Sequence, residues 1–413
     1  MSKLQPVRGT HDILAEDFPR FAHVVDTARD VARLYGYGEM ATPIFEFTEL
    51  FARGIGETTD VVSKEMYTFD DRGGESLTLR PEYTAGICRA FISGGLQQKV
   101  PVKVFAHGPM FRYERPQKGR QRQFHQIDIE VLGAPEPECD VEVICVAADI
   151  LRRLGILDRC TLKLNSLGDP ASRAEYRKVL VGYYTAHKDK LSEDSLRRLD
   201  KNPMRILDSK DEGDQAINQH APSLADYLGP EATAFFDAVK DGLDAAGVAY
   251  EVEPTLVRGL DYYTHTAFEF VTTHLGAQGT VLGGGRYDGL IEQLGGPPTA
   301  GIGWAGGIER LVMLSDAPPA APRPVALVPM GPAAERKAQG IARELRLAGI
   351  AVDLAYRGNM KRRLQRANKV AARLAVIIGD DELARGEAQV KDLDTGTQSN
   401  VAFDTLAAAL KER

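Results

Sequence analysis

The chain is 413 residues long, 43% hydrophobic and 26% charged, the composition of a globular protein large enough for two or three domains. No run approaches the roughly 18 consecutive apolar residues of a membrane helix, and Met1-Ser2-Lys3-Leu4-Gln5-Pro6 lacks the apolar core of a secretory signal, so a cytoplasmic protein with no membrane association is expected. The net charge of −7 is uneven: residues 323–413 carry a net +5 and residues 1–322 a net −12, so a polyanionic partner is expected to be approached partly through the tail.

In chain order, residues 20–35 predict a helix, and residues 103–112 and 123–132 predict strands flanking a charged loop. Residues of about 166–250 are polar with helical periodicity at 173–184, 191–199 and 232–246, and predict a helical insertion. Residues 264–273 and 279–283 form a further hairpin-like pair. Strand pairs separated by long loops favour an α+β body, an antiparallel sheet with helices packed on it, spanning 1–320. The segment Ser315-Asp316-Ala317-Pro318-Pro319-Ala320-Ala321-Pro322-Arg323-Pro324 carries four prolines and reads as a linker. Beyond it, strands at 325–329, 350–354 and 374–378 alternate with helices at 334–348 and 360–369. That alternation predicts a small α/β domain over 325–413 with a largely parallel sheet.

Four scattered cysteines without CxxC spacing, and eight histidines without HExxH or HxxxH pairs, predict free thiols and no protein-held metal. There is no GxxxxGK[ST] phosphate loop. Gly301-Ile302-Gly303-Trp304-Ala305-Gly306 matches GxGxxG, but Pro297-Pro298-Thr299-Ala300 stands where a dinucleotide fold needs a buried strand. The loop from Arg112 to Arg122 holds five cations, and in a hairpin Arg112 and Phe124 would face one pocket. An arginine fork matches phosphate oxygens and an aromatic face matches a purine, although a solvated basic loop has the same composition. Two more clusters stand at Arg258-Gly259-Leu260-Asp261-Tyr262-Tyr263 and Gly283-Gly284-Gly285-Arg286-Tyr287-Asp288, where packed tyrosines and a glycine turn are the bland readings. Arg310 follows glycines and opens a helix.

Taken in order, these segments resemble one family along nearly the whole chain, the histidyl-tRNA synthetases of bacterial type, which are class II aminoacyl-tRNA synthetases. The resemblance is carried by Arg8-Gly9-Thr10-His11-Asp12, Leu79-Arg80-Pro81-Glu82-Tyr83-Thr84, the arginine loop 111–126, Arg258-Gly259-Leu260-Asp261-Tyr262-Tyr263, Gly284-Gly285-Arg286-Tyr287-Asp288-Gly289 and Gly306-Gly307-Ile308-Glu309-Arg310-Leu311. Arg205-Ile206-Leu207-Asp208-Ser209-Lys210-Asp211 is similar to the family's insertion domain. Four positions depart from its pattern: Tyr83, Trp304 on the lead-in to Arg310, and Thr264-His265.

The resemblance implies a two-step reaction: L-histidine and ATP give histidyl-adenylate and pyrophosphate, and the histidyl group then passes to the 3′ end of tRNA(His). It implies that Arg112 and Arg258 act on the α-phosphate, and that Arg112, Glu114, Arg120, Phe124 and Arg310 bind ATP. It places Glu82, Thr84, Gln126, Glu130, Tyr262, Tyr263 and Tyr287 around histidine. It further implies Mg²⁺ carried on the phosphates, a homodimer, and a C-terminal anticodon-binding domain whose Arg362, Arg363 and Arg366 meet tRNA. Gln126 and Glu130, four apart on a strand, share a face. The rival is the regulatory subunit of ATP phosphoribosyltransferase, a non-catalytic relative that tends to lose the catalytic arginines and lacks the tail domain; this chain keeps Arg112, Arg258, Arg310 and a tail.

Overall fold

The computed structural model describes residues 4–56, 59–260, 262–276, 279–318, 320 and 322–411. The chain divides into two compact units, Met1–Pro318 and Pro319–Arg413.

The first unit lays down β1 (Gly38–Glu39), β2 (Phe45–Phe47), β3 (Tyr67–Asp70), β4 (Ser76–Leu79), β5 (Val102–Phe111), β6 (Gln123–Leu132), β7 (Thr161–Ser166), β8 (Glu251–Val252), β9 (Thr264–Val271), β10 (Thr280–Arg286) and β11 (Gly301–Gly307). Eight of them form a sheet in the order β1-β5-β6-β11-β10-β9-β7-β8. Its end pairs are parallel, and the pairs between them are antiparallel. β2, β4 and β3 make a separate three-stranded antiparallel sheet.

Period-two alternation sorts the long sheet into two faces. Ile127, Ile129 and Val131 of β6 enter the main core with Val143, Ala147 and Ile150 of the helix Pro137–Arg153. Burying each valine or isoleucine side chain among them contributes about 1.5–3 kcal/mol. That helix opens on Pro137 with Glu138 and Asp140 in its first turn and closes on Arg152 and Arg153, so charge complements its dipole at both ends. The even residues of β6, Gln126, Asp128 and Glu130, point to the opposite face.

The polar middle segment is helical, with Pro170–Ala186, Glu193–Lys201 and Glu212–Asn218. The buried carboxylate of Asp214 accepts the Ser192, Ser195 and Ser209 hydroxyls and ties these turns together. The helix Pro230–Ala246 differs, because its Val239 and Leu243 join the main core of the body.

The second unit contains β12 (Val325–Pro329), β13 (Val352–Leu354), β14 (Leu374–Ile378), β15 (Glu387–Asp392) and β16 (Gln398–Ala402). Its sheet order is β13-β12-β14-β15-β16. β13, β12 and β14 are parallel, as the alternation of strands and helices predicts. The antiparallel hairpin β15–β16 was not legible, because in β15 only Ala388 and Val390 turn inward among polar residues. None of the described helices is long and apolar enough to cross a membrane. The cysteines are free thiols, Cys88 buried and the others half-buried.

Candidate active site

The polar face of the long sheet forms the floor of a cavity of about 1050 Å³, mouth included. Its floor is made by small residues facing polar ones. Across the β6–β11 ladder, Gln126 stands opposite Gly307, Asp128 opposite Ala305, and Glu130 opposite Gly303. A Cβ on Gly303 would lie 1.7 Å from the Glu130 carboxylate, so only glycine leaves room for that side chain. The GxGxxG match is therefore an inner strand rather than a phosphate loop, and the glycines at 283–285 belong to strand β10 rather than a turn. Trp304 points away from the cavity floor, where its indole N–H donates to the Val143 carbonyl at 3.0 Å. Its bulk packs into the main core, and the residue also borders the cavity beside Gly303.

The outer half of the cavity is cationic. Arg112, at the end of β5, anchors its Nε on the Pro81 carbonyl (2.9 Å) and lies 5.4 Å from the centre of the Phe124 ring. Arg310, in the first turn of the helix Ile308–Leu314, donates to the carbonyls of Gly119 (3.1 Å) and Thr280 (2.7 Å). Burial, then repulsion from Arg120 and Arg112, lowers its pKa, and an incoming polyanion would relieve that repulsion. Arg120 is paired with Glu114 at 2.5 Å.

Arg258 reaches the cavity from the loop before β9. It is half-buried, forms an ion pair with Glu269 of β9, and lies 5.3 Å from the Tyr263 ring centre. A Cβ on Gly283 would meet its guanidinium at 2.8 Å. Glu269 also accepts the Thr280 hydroxyl at 2.9 Å, which fixes the carboxylate that fixes the arginine. Arg205 from the helical insertion donates to the Gly259 carbonyl at 2.8 Å and braces the same loop.

The inner half is acidic. Glu82 accepts the backbone N–H groups of Thr84 (2.6 Å) and Ala85 (2.9 Å) at the start of the helix Thr84–Ser93. The Thr84 hydroxyl donates to Glu130 at 2.6 Å, and Tyr287 donates to the other Glu130 oxygen. Tyr262 packs between Tyr263 and Tyr287, with ring centres 4.6 and 5.7 Å away. The residues singled out for ATP and histidine thus gather at one cavity. Two of them, Glu130 and Tyr287, sit just beneath its lining rather than on it. Asp128 and Glu269 were missed by the sequence reading. Even-numbered parity with Gln126 and Glu130 was the available signal for Asp128.

Burial pushes the Glu130 carboxyl up to about 8 against the opposing pull of the two hydroxyls. Between its ordinary 4.5 and about 8 the folded protein binds a proton that the unfolded chain has released. This group's contribution to stability therefore falls as pH rises across that window. Glu130→Gln is expected to flatten the decline in melting temperature of ligand-free protein between pH 5 and 8, measured against the parent. An unchanged slope would show that Glu130 does not titrate there.

Of the basic residues on the helix Met360–Lys369, Arg363 does not fit a nucleic-acid role. It is buried, donating to the carbonyls of Gly358 (2.7 Å) and Ala355 (3.1 Å) and pairing with Glu335 (2.5 Å). Helical spacing turns it inward while Arg362, Lys361 and Lys369 face outward. Arg366 is exposed but held bidentate by Asp353 at 2.8 and 2.7 Å. The His265 departure adopts a left-handed backbone (φ 44°), and the Tyr83 departure fills the protein behind the site, its hydroxyl donating to the His107 carbonyl at 3.0 Å.

Comparison with known proteins bears on this geometry. The family model described as histidyl-tRNA synthetase matches residues 9–311, and the one described as anticodon binding domain matches residues 324–413. A protein named histidine–tRNA ligase from Gluconacetobacter diazotrophicus is 60% identical over 410 residues, covering 99% of each chain. The crystal structure of apo histidyl-tRNA synthetase from S. aureus superimposes with a TM-score of 0.85 at 36% identity, covering 99% of this chain and 100% of that one. A Bacillus halodurans structure described as an ATP phosphoribosyltransferase regulatory subunit/histidyl-tRNA synthetase shares the fold, with a TM-score of 0.67 at 22% identity, covering 92% of this chain and 98% of that one.

Proposed function

The chain belongs to the histidyl-tRNA synthetase family, and from that membership we propose how its cavity acts as a histidine–tRNA ligase. The observation that carries the proposal is polarity: arginines 112, 258 and 310 occupy one half of a single cavity and the carboxylates Glu82 and Asp128 the other, with Glu130 just beneath them. ATP is an anion and the amino end of histidine is a cation, so one molecule of each fits end to end.

In the first step the histidine carboxylate oxygen forms a bond to the α-phosphorus and the bond to the β-phosphate oxygen breaks. Histidyl-adenylate and pyrophosphate result. Both reactants are anionic, so positioned cations matter more than acid–base groups. Arg112 and Arg258 take the α-phosphate, Arg310 the outer phosphates, and Phe124 one face of the adenine, with Glu114 and Arg120 at its edge. Glu82, Thr84 and Gln126 receive the amino end, and Glu130 with Tyr263 the imidazole, with Tyr262 and Tyr287 closing the wall. A buried site built from such acceptors rejects side chains that lack the matching N–H groups. In the second step the terminal ribose hydroxyl of tRNA(His) attacks the carbonyl, AMP leaves, and the hydroxyl proton is lost.

Mg²⁺ would enter on the ATP phosphates and neutralise part of their charge. Glu114, a carboxylate that lines the cavity together with Arg310, would be the oxygen donor for such an ion. Residues 1–320 form the catalytic body with its helical insertion, and residues 325–413 bind the anticodon. There Arg362 with Lys361 and Lys369 supplies the exposed phosphate-facing charge. Charging of a tRNA(His) transcript with histidine by the purified protein, in the cytosolic buffer range, tests this directly. Pyrophosphate released without acylated tRNA would overturn the second step.

The homodimer rests on the three-stranded sheet. Phe45, Phe47 and Phe69 are 53%, 56% and 46% exposed, and Phe47 and Phe69 flank Leu77 on one face. A contiguous aromatic face of this kind marks an interface. Phe47→Glu is expected to shift the protein from dimer to monomer in analytical ultracentrifugation. A dimer unaffected by that charge would place the interface elsewhere.

A further inference from the structure

We infer that Asp128 is a second carboxylate partner, beside Glu82, of the α-ammonium group of the bound amino acid. The inference rests on the reading of this cavity as a histidine site.

Asp128 is 1% exposed, lines the cavity, and neither carboxylate oxygen has a hydrogen-bond partner. Such an orphaned buried charge costs free energy unless something supplies its donors. The neighbouring strands supply none, because Asp128 stands between Ala106 of β5 and Ala305 of β11. Arg80 lies behind it, with its Nε on the Pro109 carbonyl (2.9 Å), its Nη1 on the Thr42 carbonyl (2.8 Å), and its guanidinium stacked 4.1 Å from the Tyr83 ring centre.

The surroundings define what is missing. On the same face, the Gln126 side-chain oxygen also lacks a partner, while Glu82 is occupied by two backbone N–H groups and Glu130 by two hydroxyls. Two adjacent unsatisfied acceptors, one of them a carboxylate, call for a ligand with several N–H donors and a positive charge. A primary ammonium has three such donors in a compact group. Its place also fits: with about 3.4 Å of rise per strand residue, Asp128 lies roughly 7 Å along β6 from both Gln126 and Glu130. Histidine with its carboxylate towards Arg112 and its imidazole at Glu130 brings its α-carbon between them. Burial first, then Glu130 and Glu82, with Arg80 and Arg112 opposing, drives the Asp128 carboxyl well above the usual range in the empty pocket. An ammonium would supply the missing counter-charge.

The test compares histidine with 3-(imidazol-4-yl)propanoate, which lacks only the amino group, using isothermal titration for the first and competition for the second. In the full-length protein Asp128→Asn is expected to weaken histidine on the order of 30-fold and the des-amino analogue by less than about 3-fold. Equal weakening of both ligands, or no change in either, overturns the assignment. Should the asparagine variant fail to fold, Asp128→Ser carries the same comparison. If the parent protein itself binds no histidine, the reading of the cavity falls rather than the role of Asp128 within it.

Discussion

Replacing Arg258 with alanine is expected to slow histidyl-adenylate formation by on the order of 10²–10³-fold in single-turnover experiments on folded protein. Arg258 approaches the cavity beside a glycine that leaves it space, and its ion pair with Glu269 holds it ready before any substrate arrives. Preorganised charge of this kind acts on the transition state because no reorganisation is needed when negative charge builds on the α-phosphate. Arg258→Lys is expected to recover only part of the loss, since a point charge cannot face Glu269 and a phosphate at once as a planar fork does. Glu269→Gln should give an intermediate defect in rate with histidine affinity unchanged. Retention of parent-like rates in Arg258→Ala would remove that residue from the chemistry.

The largest stability effect is expected at Arg286, which sits within a family motif yet points away from the cavity. It is fully buried, paired with the equally buried Asp140, and also donates to the carbonyls of Ala134 (3.1 Å) and Glu136 (3.3 Å) and to Asp288 (3.0 Å). This network joins β10 to the start of the helix Pro137–Arg153, and Asp288 also accepts the Gly301 N–H at 3.1 Å. Arg286→Ala strands the Asp140 carboxylate without its counter-ion, at a cost of about 3–5 kcal/mol. Replacing both partners with apolar residues, as in Arg286→Met with Asp140→Leu, should cost less than the single change. Urea unfolding checks the order: a single variant within about 1 kcal/mol of the parent would mean that the pair is not needed.

Strong periodic segments were the legible part of this fold. The strands 123–132, 325–329 and 374–378 and the helix 360–369 stand where alternation and helical spacing place them. Glycine-rich segments were not legible, because glycine is a poor strand former and local propensity reads Gly283-Gly284-Gly285 as a turn. Their reason is tertiary: side chains there would collide with Arg258, the neighbouring strand and Tyr263. The same holds at Gly303, whose missing side chain is visible as a need only once Glu130 faces it. Among the candidate site residues, resemblance located those with charge or aromatic rings, and the structure brings them to one cavity. It could not foresee Arg363, whose inward turn follows from where the helix packs. Nor did it flag Glu269, which looks like a surface position on an alternating strand until it meets Arg258.

The central claim is tested most directly by ATP–pyrophosphate exchange with the purified protein, each of the twenty amino acids being offered alone. Exchange with histidine and no other amino acid is the predicted result. Absence of exchange from folded protein, or exchange driven by a different amino acid, would contradict it.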